Sequence, residues 1–560
     1  MSKPETIGRD SGTEIRNSRA KEIALQAAAS LSVEPTSAVA YHSDGRLLVI
    51  GEASEALAIS AMLKGKALHC CVLARGEGLS RVEGDLPVLS ISPRLAVHIT
   101  GCLGEFTVKL GSEEQGEIDL AQAMEVGFSH FDLVLDLSMP PLLNWEMLPL
   151  GYYAPRGDET VLLHVVAELP AMVGEFEKAK FFHYHPDLCV HGSSGLQGCR
   201  RCLDACPTGA ITSLRDKITV DPYRCQGAGS CATACPSGAI IYGFPKPADT
   251  LNRLRTLLRT YAEAGGRDAV LLFHDSQAVK HQPAQFTDRL PGNVIAIEVE
   301  EVGSIGMEIW LSALAYGASR VIVLETPAVP PSVQRELHEQ LGFSHALLAG
   351  MAYPTAVLQL INPAEKPVCL AELVAGPAMP PIKPANFAGS NAKRDTLFFA
   401  IDYLAAQSLP PKVMALPKHA PFGEVRVNPA ACTLCLACVS VCPVAALFDG
   451  VDRPRLDFLE ANCVQCGLCE QACPEAAITL RPRFLFDPQQ RRRRQLLHEE
   501  EAFCCISCGK PFATRSMIER IKAKLNGHSM FGEEAAFKRL QLCGDCRVHD
   551  MFGSGGNMPK

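Results

Sequence analysis

The hydrophobic pattern of residues 268–362 predicts alternating strands and helices. Short β-branched runs (AVLLFHD, NVIAIEVEE and SRVIVLE) are separated by stretches of helical periodicity near GMEIWLSALAYGA and SVQRELHEQLG, and HALLAG follows. Strands that alternate with helices in this way form a parallel, doubly wound sheet, because each crossover helix covers one face of it. We therefore expect an α/β domain here, over residues 247–365.

A second α/β domain is predicted over residues 41–180. GRLLVIGEASEALAISAML predicts a strand, a turn and a helix, and HFDLVLDLS predicts a buried strand. The turn GEASEA lacks the glycines of a dinucleotide-binding fingerprint, which favours a structural βα unit over a nucleotide site. Cys70, Cys71 and Cys102 lie in or beside apolar strands and are interpreted as core residues, because free cysteine is commonly buried.

Three segments lack the pattern of a compact domain. Residues 1–40 begin with a polar stretch that predicts a mobile tail. Residues 366–425 are rich in proline around one helix near KRDTLFFAIDYLAAQ, which is typical of a linker that wraps around its neighbours. Residues 486–503 form a basic linker, in which Arg491–Arg494 are interpreted as a solvated loop, with a docking surface for an acidic partner as the alternative.

Composition and charge narrow the class of protein. The 560 residues are 47% hydrophobic and 20% charged, which is ordinary for a globular protein of several domains. The net charge of -8 does not favour nucleic-acid binding. The sequence contains no apolar run of about 18 residues or more, so a transmembrane helix is not predicted. The first residues show neither an apolar signal core nor a twin-arginine leader, so a cytoplasmic protein is expected.

Cysteine changes this picture most. The chain has 24 cysteines, of which 19 lie in tight C-x-x-C-type groups. In a reducing compartment such groups indicate metal binding or catalysis rather than disulfides. The motif C-P-x-(G/A)-A-(I/L) occurs four times, and its paired prolyl cysteines are 29 and 31 residues apart. This period predicts two copies of one unit, over residues 181–246 and 426–485.

The second copy carries the cleaner motif. Two successive C-x2-C-x2-C-x3-C-P runs closely resemble the bacterial dicluster ferredoxin pattern. In that pattern three thiolates of one tight loop each face a corner of a cubane, and the fourth binds the other cluster. The resemblance implies one [4Fe-4S] cluster on Cys432, Cys435, Cys438 and Cys473, and another on Cys463, Cys466, Cys469 and Cys442. Zinc also takes four thiolates, but two interlocked runs ending in Cys-Pro make it the weaker alternative.

The first copy starts with a displaced cysteine. Cys189 lies further back than the pattern requires, and the polar, glycine-rich VHGSSGLQG that follows it is expected to loop out. With this change the same resemblance implies a [4Fe-4S] cluster, and its ligands are Cys189, Cys199, Cys202 and Cys235.

The other site of the first copy lacks one ligand. Ala228 stands where a cysteine belongs, which leaves three thiolates, from Cys225, Cys231 and Cys206. Ferredoxins without this ligand often hold a [3Fe-4S] cluster, which we favour, and the lost thiolate charge is expected to raise the reduction potential. The alternatives are an open [4Fe-4S] cluster whose last iron is bound by water or another group such as Cys369, and an empty site.

Two further cysteine pairs lie in FCCISCGKPF and LCGDCRV. They look like two zinc knuckles that hold one structural zinc ion, and the ligands would be Cys505, Cys508, Cys543 and Cys546. The residues between them, 515–541, predict two amphipathic helices, so a zinc-binding domain is expected over 504–552. A fifth iron–sulfur cluster is the competing interpretation, and Cys504 could substitute for Cys505.

Longer stretches carry two wider resemblances. EVGSIGMEIWLSALAYGASRVIVLE resembles the hydrogenase delta-subunit domain, which implies a flavodoxin-like fold, although the cysteines of that family's [2Fe-2S] cluster are missing here. GEFEKAKFFHYHPDLCVHGSSGLQGCRRCLDACPTGAI, with CCISCGKPF, resembles the large cytoplasmic 4Fe-4S proteins found beside molybdenum-dependent formate dehydrogenase-type enzymes. This second resemblance implies an electron-transfer partner rather than a chemistry.

These patterns predict an electron-transfer subunit without a substrate site. It would relay single electrons between a redox enzyme, of the formate dehydrogenase or hydrogenase type, and another carrier, with the α/β domains fixing the gap between the cluster pairs. His183, His185 and His191 are candidates for tuning the first cluster, with ordinary loop histidines as the equal alternative. Two other functions stay open. One is a flavin-containing NAD(P)H-linked reductase; the other is an assembly factor for a molybdoenzyme.

Overall fold

The computed structural model describes most of the chain, namely residues 11–76, 86–112, 116–276, 290–362, 376–450, 453–528, 531 and 534–552. Within these ranges the protein is a multidomain α/β molecule. None of its described helices combines the length and the apolar character that crossing a bilayer requires.

The amino-terminal domain is built on a five-stranded parallel sheet. Its strands, in order across the sheet, are Val88–Ile91, His69–Arg75, Arg46–Gly51, Leu133–Asp136 and Tyr152–Tyr153. The helices Ala53–Met62 and Glu159–Glu168 cover one face. The opposite face packs against the short helix Leu120–Ala123 and an antiparallel sheet of Val97–Thr100, Thr107–Ser112 and Gly116–Asp119. A small sheet therefore replaces the helices expected on that face.

The second α/β domain has four parallel strands. Their order across the sheet is Val294–Glu298, Val270–His274, Arg320–Leu324 and Leu358–Ile361. The helices around this sheet are Pro247–Glu263, Met307–Ala315, Pro331–Gly350 and Lys393–Ala406. These helices share one hydrophobic core with one face of the sheet, and the side chains of the other face form a second, smaller buried cluster. The central strands are therefore buried along their whole length and read as continuous apolar runs.

The prediction of a mobile tail over residues 1–40 is wrong for residues 11–29. This segment is the helix Ser11–Ala29, which packs along the helix Pro247–Glu263. Ala20, Ala24 and Ala28 form its buried stripe at a spacing of four residues, which places them on one helix face. Lys21 adds hydrogen bonds from Nζ to the backbone carbonyls of residues 290, 291 and 294. A buried stripe of three alanines and Asn17 has low hydropathy, so the sequence pattern looked polar.

The two cysteine-rich modules are small antiparallel folds. The first has the strand pairs Phe182–Tyr184 with Ile240–Tyr242, Gly192–Ser193 with Leu196–Gln197, and Ile211–Leu214 with Lys217–Val220, and the helices Arg201–Asp204 and Ser230–Ala234. The strand pair Ala38–Ser43 with Gly174–Ala179 precedes it. The second has the strands Val413–Ala415, Gly423–Val427, Leu447–Asp449, Arg455–Phe458, Ile478–Leu485 and Gln495–Glu499, and the helices Ala437–Ser440, Leu468–Ala472 and Pro488–Arg491.

The predicted linkers on either side of the second module are shorter than expected. The strand Gly423–Val427 pairs with Ile478–Leu485, and Gln495–Glu499 pairs with Arg455–Phe458, so both segments belong to the module. The interpretation of Arg491 as part of a solvated basic loop is wrong. Arg491 is 2% exposed and forms a two-point ion pair with Asp402, at 2.6 and 2.7 Å. The burial of this charge depends on a partner 89 residues away, which no local pattern reveals.

The carboxyl-terminal domain is small. It consists of the strands Ala502–Cys504 and Pro511–Thr514 and the helices Arg515–Leu525, Glu534–Arg539 and Gly544–Phe552. It is attached to the second module through the Thr514 hydroxyl, which donates to the Thr433 carbonyl at 2.9 Å. Arg520 and Lys524 also pair with Glu475 of that module.

Candidate metal centres

The second module contains two cysteine-lined cavities. One is lined by Cys432, Cys435, Cys438 and Cys473 together with apolar side chains. The other is lined by Cys442, Cys463, Cys466 and Cys469. Each cavity thus has three cysteines from one run and the prolyl cysteine from the other run. Two cavities with crossed fourth cysteines have the donor set of a two-cluster ferredoxin.

The backbone around both cavities is bent towards the thiols. Leu434, Leu436, Gln465 and Gly467 have φ values of 53°, 60°, 58° and 87°. Such turns direct successive amide groups into one concavity, which suits an anionic group such as an iron–sulfur cluster. The amide of Ala446 lies 3.3 Å from Cys442 Sγ, and that of Ala477 lies 3.2 Å from Cys473 Sγ. Hydrogen bonds to sulfur are among the interactions that set a cluster's potential.

The thiols of these cavities do not ionise readily by themselves. Burial raises the pKa of Cys438 and of Cys466 to about 12 in each case, and neighbouring cysteines add to the shift. A thiol with such a pKa stays protonated at neutral pH unless a metal takes the place of the proton. The cavities therefore fit metal clusters held by thiolates, and the residues present can supply every ligand.

In the first module, Cys189, Cys199, Cys202 and Cys235 also converge. Burial raises the pKa of Cys199 to about 11, and the charges of Cys235 and Cys189 contribute to the shift. Burial also raises the pKa of Cys202, and all three of the other thiols add to this shift. The predicted excursion before Cys199 is a β-hairpin, Gly192–Ser193 with Leu196–Gln197, which turns at two residues of positive φ.

The three-cysteine site lies next to the second α/β domain. Cys225, Cys231 and Cys206 are mutual electrostatic neighbours, and burial raises the pKa of Cys231 well above its usual value. Ala228 is part of that domain's hydrophobic core. A Cβ added at Gly303 of that domain would lie 2.3 Å from the Ala228 carbonyl oxygen, so the two backbones touch. The position of the missing ligand is thus covered by protein. The alternative ligand Cys369 lies outside the described residues.

The two modules are in direct contact, contrary to the expectation that the α/β domains fix a gap between them. Gly198 of the first module approaches Leu468 of the second so closely that a Cβ on Gly198 would lie 2.9 Å from Leu468 Cγ. Gln471 Nε2 donates to the Gln197 carbonyl at 2.9 Å. Burial and the cysteines of its own cavity raise the pKa of Cys466, and Cys199 adds to this shift across the interface. A cavity of the second module therefore adjoins a four-cysteine site of the first.

The Sγ atoms of the carboxyl-terminal cysteines lie closer together than the ligands of a cubane cluster would. The Sγ atoms of Cys505, Cys508, Cys543 and Cys546 all lie within 4.8 Å of one another, and Cys508 Sγ is 3.7 Å from Cys543 Sγ. Thiolates at about 2.3 Å from one tetrahedral ion would be separated by about 3.8 Å. In a cubane each thiolate binds a different iron atom, which requires a wider spacing. The adjacent Cys504 is exposed. These four cysteines form a site that could hold a single metal ion.

Of the three candidate histidines, His191 has a defined role. It is 2% exposed, with Nδ1 2.8 Å from the Cys199 carbonyl and Nε2 2.7 Å from Ser213 Oγ. It therefore positions the chain at Cys199. The sequence interpretation missed Thr208 and Ser237, whose hydroxyls lie 3.4 and 3.7 Å from the Sγ atoms of Cys206 and Cys235. A hydroxyl residue directly after each Cys-Pro of the first module was the available signal.

One cavity of the amino-terminal domain does not lie at the GEASEA turn. Its lining includes Arg46, Cys102 and Tyr223. Arg46 begins the strand Arg46–Gly51, whereas the turn follows the end of that strand. Nucleotides and flavins bind sheets of this type at the carboxyl ends of the strands. The cavity is therefore at the opposite edge.

Comparison with known proteins identifies the same two modules. Residues 196–239 and residues 424–474 each match a 4Fe-4S dicluster domain model. The archaeal-type NADPH glutamate synthases of Thermotoga sp. (strain RQ2) and Thermotoga maritima are each 40% identical over 68 residues, which are 12% of this chain and 13% of theirs. A ferredoxin named 7Fe, from Hydrogenibacillus schlegelii, is 43% identical over 42 residues, 8% of this chain and 51% of its own.

These similarities are confined to short segments. The chain spans only 13% of the length of the glutamate synthases that it matches. The matched domains are nevertheless of the ferredoxin type, which binds iron–sulfur clusters and transfers electrons. Electron transfer is thus the function that the two modules indicate.

Proposed function

We propose that this chain is a linear relay for single electrons, with four iron–sulfur sites in a row across two ferredoxin modules. The observation that carries the proposal is the direct contact of the modules at Gly198, Leu468 and Gln471. When bound, each cluster would take up and release one electron without any bond being made or broken. The residues of the interface hold the two inner sites next to each other.

The sites would follow one another in a fixed order. The three-cysteine site comes first, then the site of Cys189, Cys199, Cys202 and Cys235, then the site of Cys442, Cys463, Cys466 and Cys469, and last the site of Cys432, Cys435, Cys438 and Cys473. We propose [4Fe-4S] clusters at the three four-cysteine sites and a [3Fe-4S] cluster at the first. The relative named 7Fe supports a three-iron cluster, because seven irons do not divide into two four-iron clusters.

The two ends of this row differ in accessibility. Cys435, at the last site, is exposed, whereas the Ala228 side of the first site is covered by the second α/β domain. We therefore place the exchange with an external redox protein at the Cys435 end. A molybdenum-dependent enzyme of the formate dehydrogenase type is the partner that we propose, and the flavodoxin-like, delta-subunit-like domain would serve as the scaffold of the first module, at the other end of the row. The Cys505 site would hold structural zinc.

Electron paramagnetic resonance on anaerobically purified protein tests the relay. After reduction, clusters that are neighbours across the module interface should interact magnetically and broaden each other's signals. The double variant Cys466→Ser, Cys469→Ser removes one of these neighbours, so the signal of the first module's four-iron cluster should sharpen. The exposed Cys504→Ser variant is the control and should match the unmodified protein.

An unchanged first-module signal in the double variant would refute the relay. A protein that retains its iron but exchanges electrons with no donor would favour the assembly factor. A yellow protein that oxidises NAD(P)H by itself would favour the flavin reductase.

A further inference from the structure

Arg394 lies beside one of the inner sites and has an unusual set of partners. It is the second residue of the helix Lys393–Ala406, and its side chain is largely buried. Nε donates to the Ala461 carbonyl at 2.7 Å, Nη1 to the Pro421 carbonyl at 3.0 Å and Nη2 to the Cys463 carbonyl at 2.6 Å. The guanidinium thus binds backbone carbonyls of the segment just before and at Cys463, and one carbonyl of a neighbouring loop.

No carboxylate in the described part of the chain forms an ion pair with Arg394. The nearby acid Glu460 is occupied by Arg483, which contacts its two oxygens at 2.9 and 2.6 Å. Asp395 follows Arg394 in sequence but is exposed. The neighbouring Lys393, in contrast, has Glu308 within 3.8 Å. A largely buried cation without a carboxylate is costly unless another anion balances it.

A second arginine of the same core, Arg491, differs from Arg394 in having a carboxylate as its counter-ion. Arg491 and Arg394 both stack on Phe398, with guanidinium carbons 4.3 and 5.1 Å from the ring centroid. Arg491 carries its own counter-ion, because Asp402 contacts it at 2.6 and 2.7 Å. Arg394 instead binds the backbone of Cys463 through its Nη2 donor, and Cys463 is one of the four cysteines of the adjoining cavity.

We propose that Arg394 is the counter-cation of the cluster held by Cys442, Cys463, Cys466 and Cys469, and that it raises the reduction potential of that cluster. This inference rests on the proposed function in so far as a cluster occupies the site. A cluster with four thiolates is anionic and becomes more so when it gains an electron, so a fixed positive charge nearby favours the reduced form. Arg394 is a positioning and tuning residue; it binds no iron.

The redox step involves only an electron. A reductant, dithionite in the test below, loses one electron, the site gains one negative charge, and no proton or ligand moves. Unit charges within roughly 10 Å inside a protein change such an equilibrium on the order of tenfold, which corresponds to about 59 mV for one electron.

The test compares Arg394→Gln, which removes the charge, with Arg394→Lys, which keeps it but loses the fork of donors. The full-length variants are purified without oxygen, their iron is counted, and each cluster is titrated by potential with paramagnetic resonance as the readout. We expect Arg394→Gln to lower the equilibrium constant for reduction of one cluster about tenfold and Arg394→Lys to restore it. The double variant Asp402→Asn, Arg491→Gln removes a neutral pair from the same core and should leave all potentials unchanged.

Two results would overturn the inference. One is an Arg394→Gln protein with its full iron content and unchanged potentials. If that variant instead loses a cluster, the lysine variant decides: a lowered potential in Arg394→Lys would show that packing, not charge, sets it. These readouts are separate from the relay test, since a potential can shift in a protein whose clusters do not interact magnetically.

Discussion

The carboxyl-terminal domain is expected to depend on its metal for folding, and Cys543→Ser is the perturbation that tests this. The substitution removes one of four thiols that converge within 4.8 Å. The domain's own core is very small: Cys505, Leu542 and Cys543 are buried, and Phe512 and Cys546 pack against them only in part. Elsewhere in the described part of this domain, only Ile518 and Thr514 are buried.

The magnitudes indicate that a metal ion bound by these four thiolates would contribute most of the stability of this domain. Burying Leu542, Ile518 and, in part, Phe512 contributes at most about 9 kcal/mol in total. The surface pairs of Arg520 and Lys524 with Glu475 add little, because water screens exposed ion pairs. A structural zinc ion in a thiolate site contributes about 10–16 kcal/mol. Without it, we expect the domain to unfold while the ferredoxin modules remain intact.

Metal analysis and limited trypsin digestion measure this directly. Cys543→Ser should lose one metal ion per chain and become cleavable within the helix Arg515–Leu525, while the two ferredoxin modules keep their iron. Cys504→Ser, at the exposed neighbouring thiol, should keep both the metal and the resistance to trypsin. A Cys543→Ser protein that is as resistant as the unmodified one would refute the reasoning. The metal released also distinguishes zinc from iron.

Three further outcomes follow from the structure. Ala228→Cys supplies the missing thiol, so iron should rise by one atom per chain and the three-iron signal should disappear; unchanged iron would contradict the proposed geometry. Gly198→Leu places atoms within 2.9 Å of Leu468 at the module interface, so we expect a loss of about 1–3 kcal/mol in stability and a weaker magnetic interaction between the modules. Burial raises the pKa of Glu336 from 4.5 to about 7, so the folded protein holds a proton that the unfolded chain releases, and stability should fall by about 3 kcal/mol as pH rises between these values. The melting temperature of Glu336→Gln should therefore depend less on pH over this range. The melting temperature of Glu339→Gln, a change at an exposed residue, should depend on pH as that of the unmodified protein does.

The sequence was most informative where the chemistry is local. A C-x2-C-x2-C run encodes its own loop, so the cysteines of the second module could be grouped from spacing and resemblance, and the structure brings the same groups to its two cavities. Parallel strands were likewise recognisable, because burial on both faces leaves an unbroken apolar run.

Features that depend on distant partners could not be predicted. The helix Ser11–Ala29 is held by a surface more than 200 residues away, and its alanine stripe carries little hydrophobic signal of its own. Arg394 and Arg491 lie in sequence contexts that resemble ordinary surface charge. Their roles are set by Cys463 and Asp402, which only the folded chain brings near. The contact between the modules has the same origin, since Gly198 and Leu468 are 270 residues apart.

The exchange of prolyl cysteines between the two runs of the second module has a consequence for how the protein matures. Cys442 lies in the first run but lines the second cavity, and Cys473 does the reverse. Neither half of the module can complete a ligand set from its own residues. Delivery of inorganic iron and sulfide must therefore wait until both halves have been synthesised and have come together, and damage to one centre exposes a ligand of the other. We therefore expect the two clusters of this module to be inserted together and lost together.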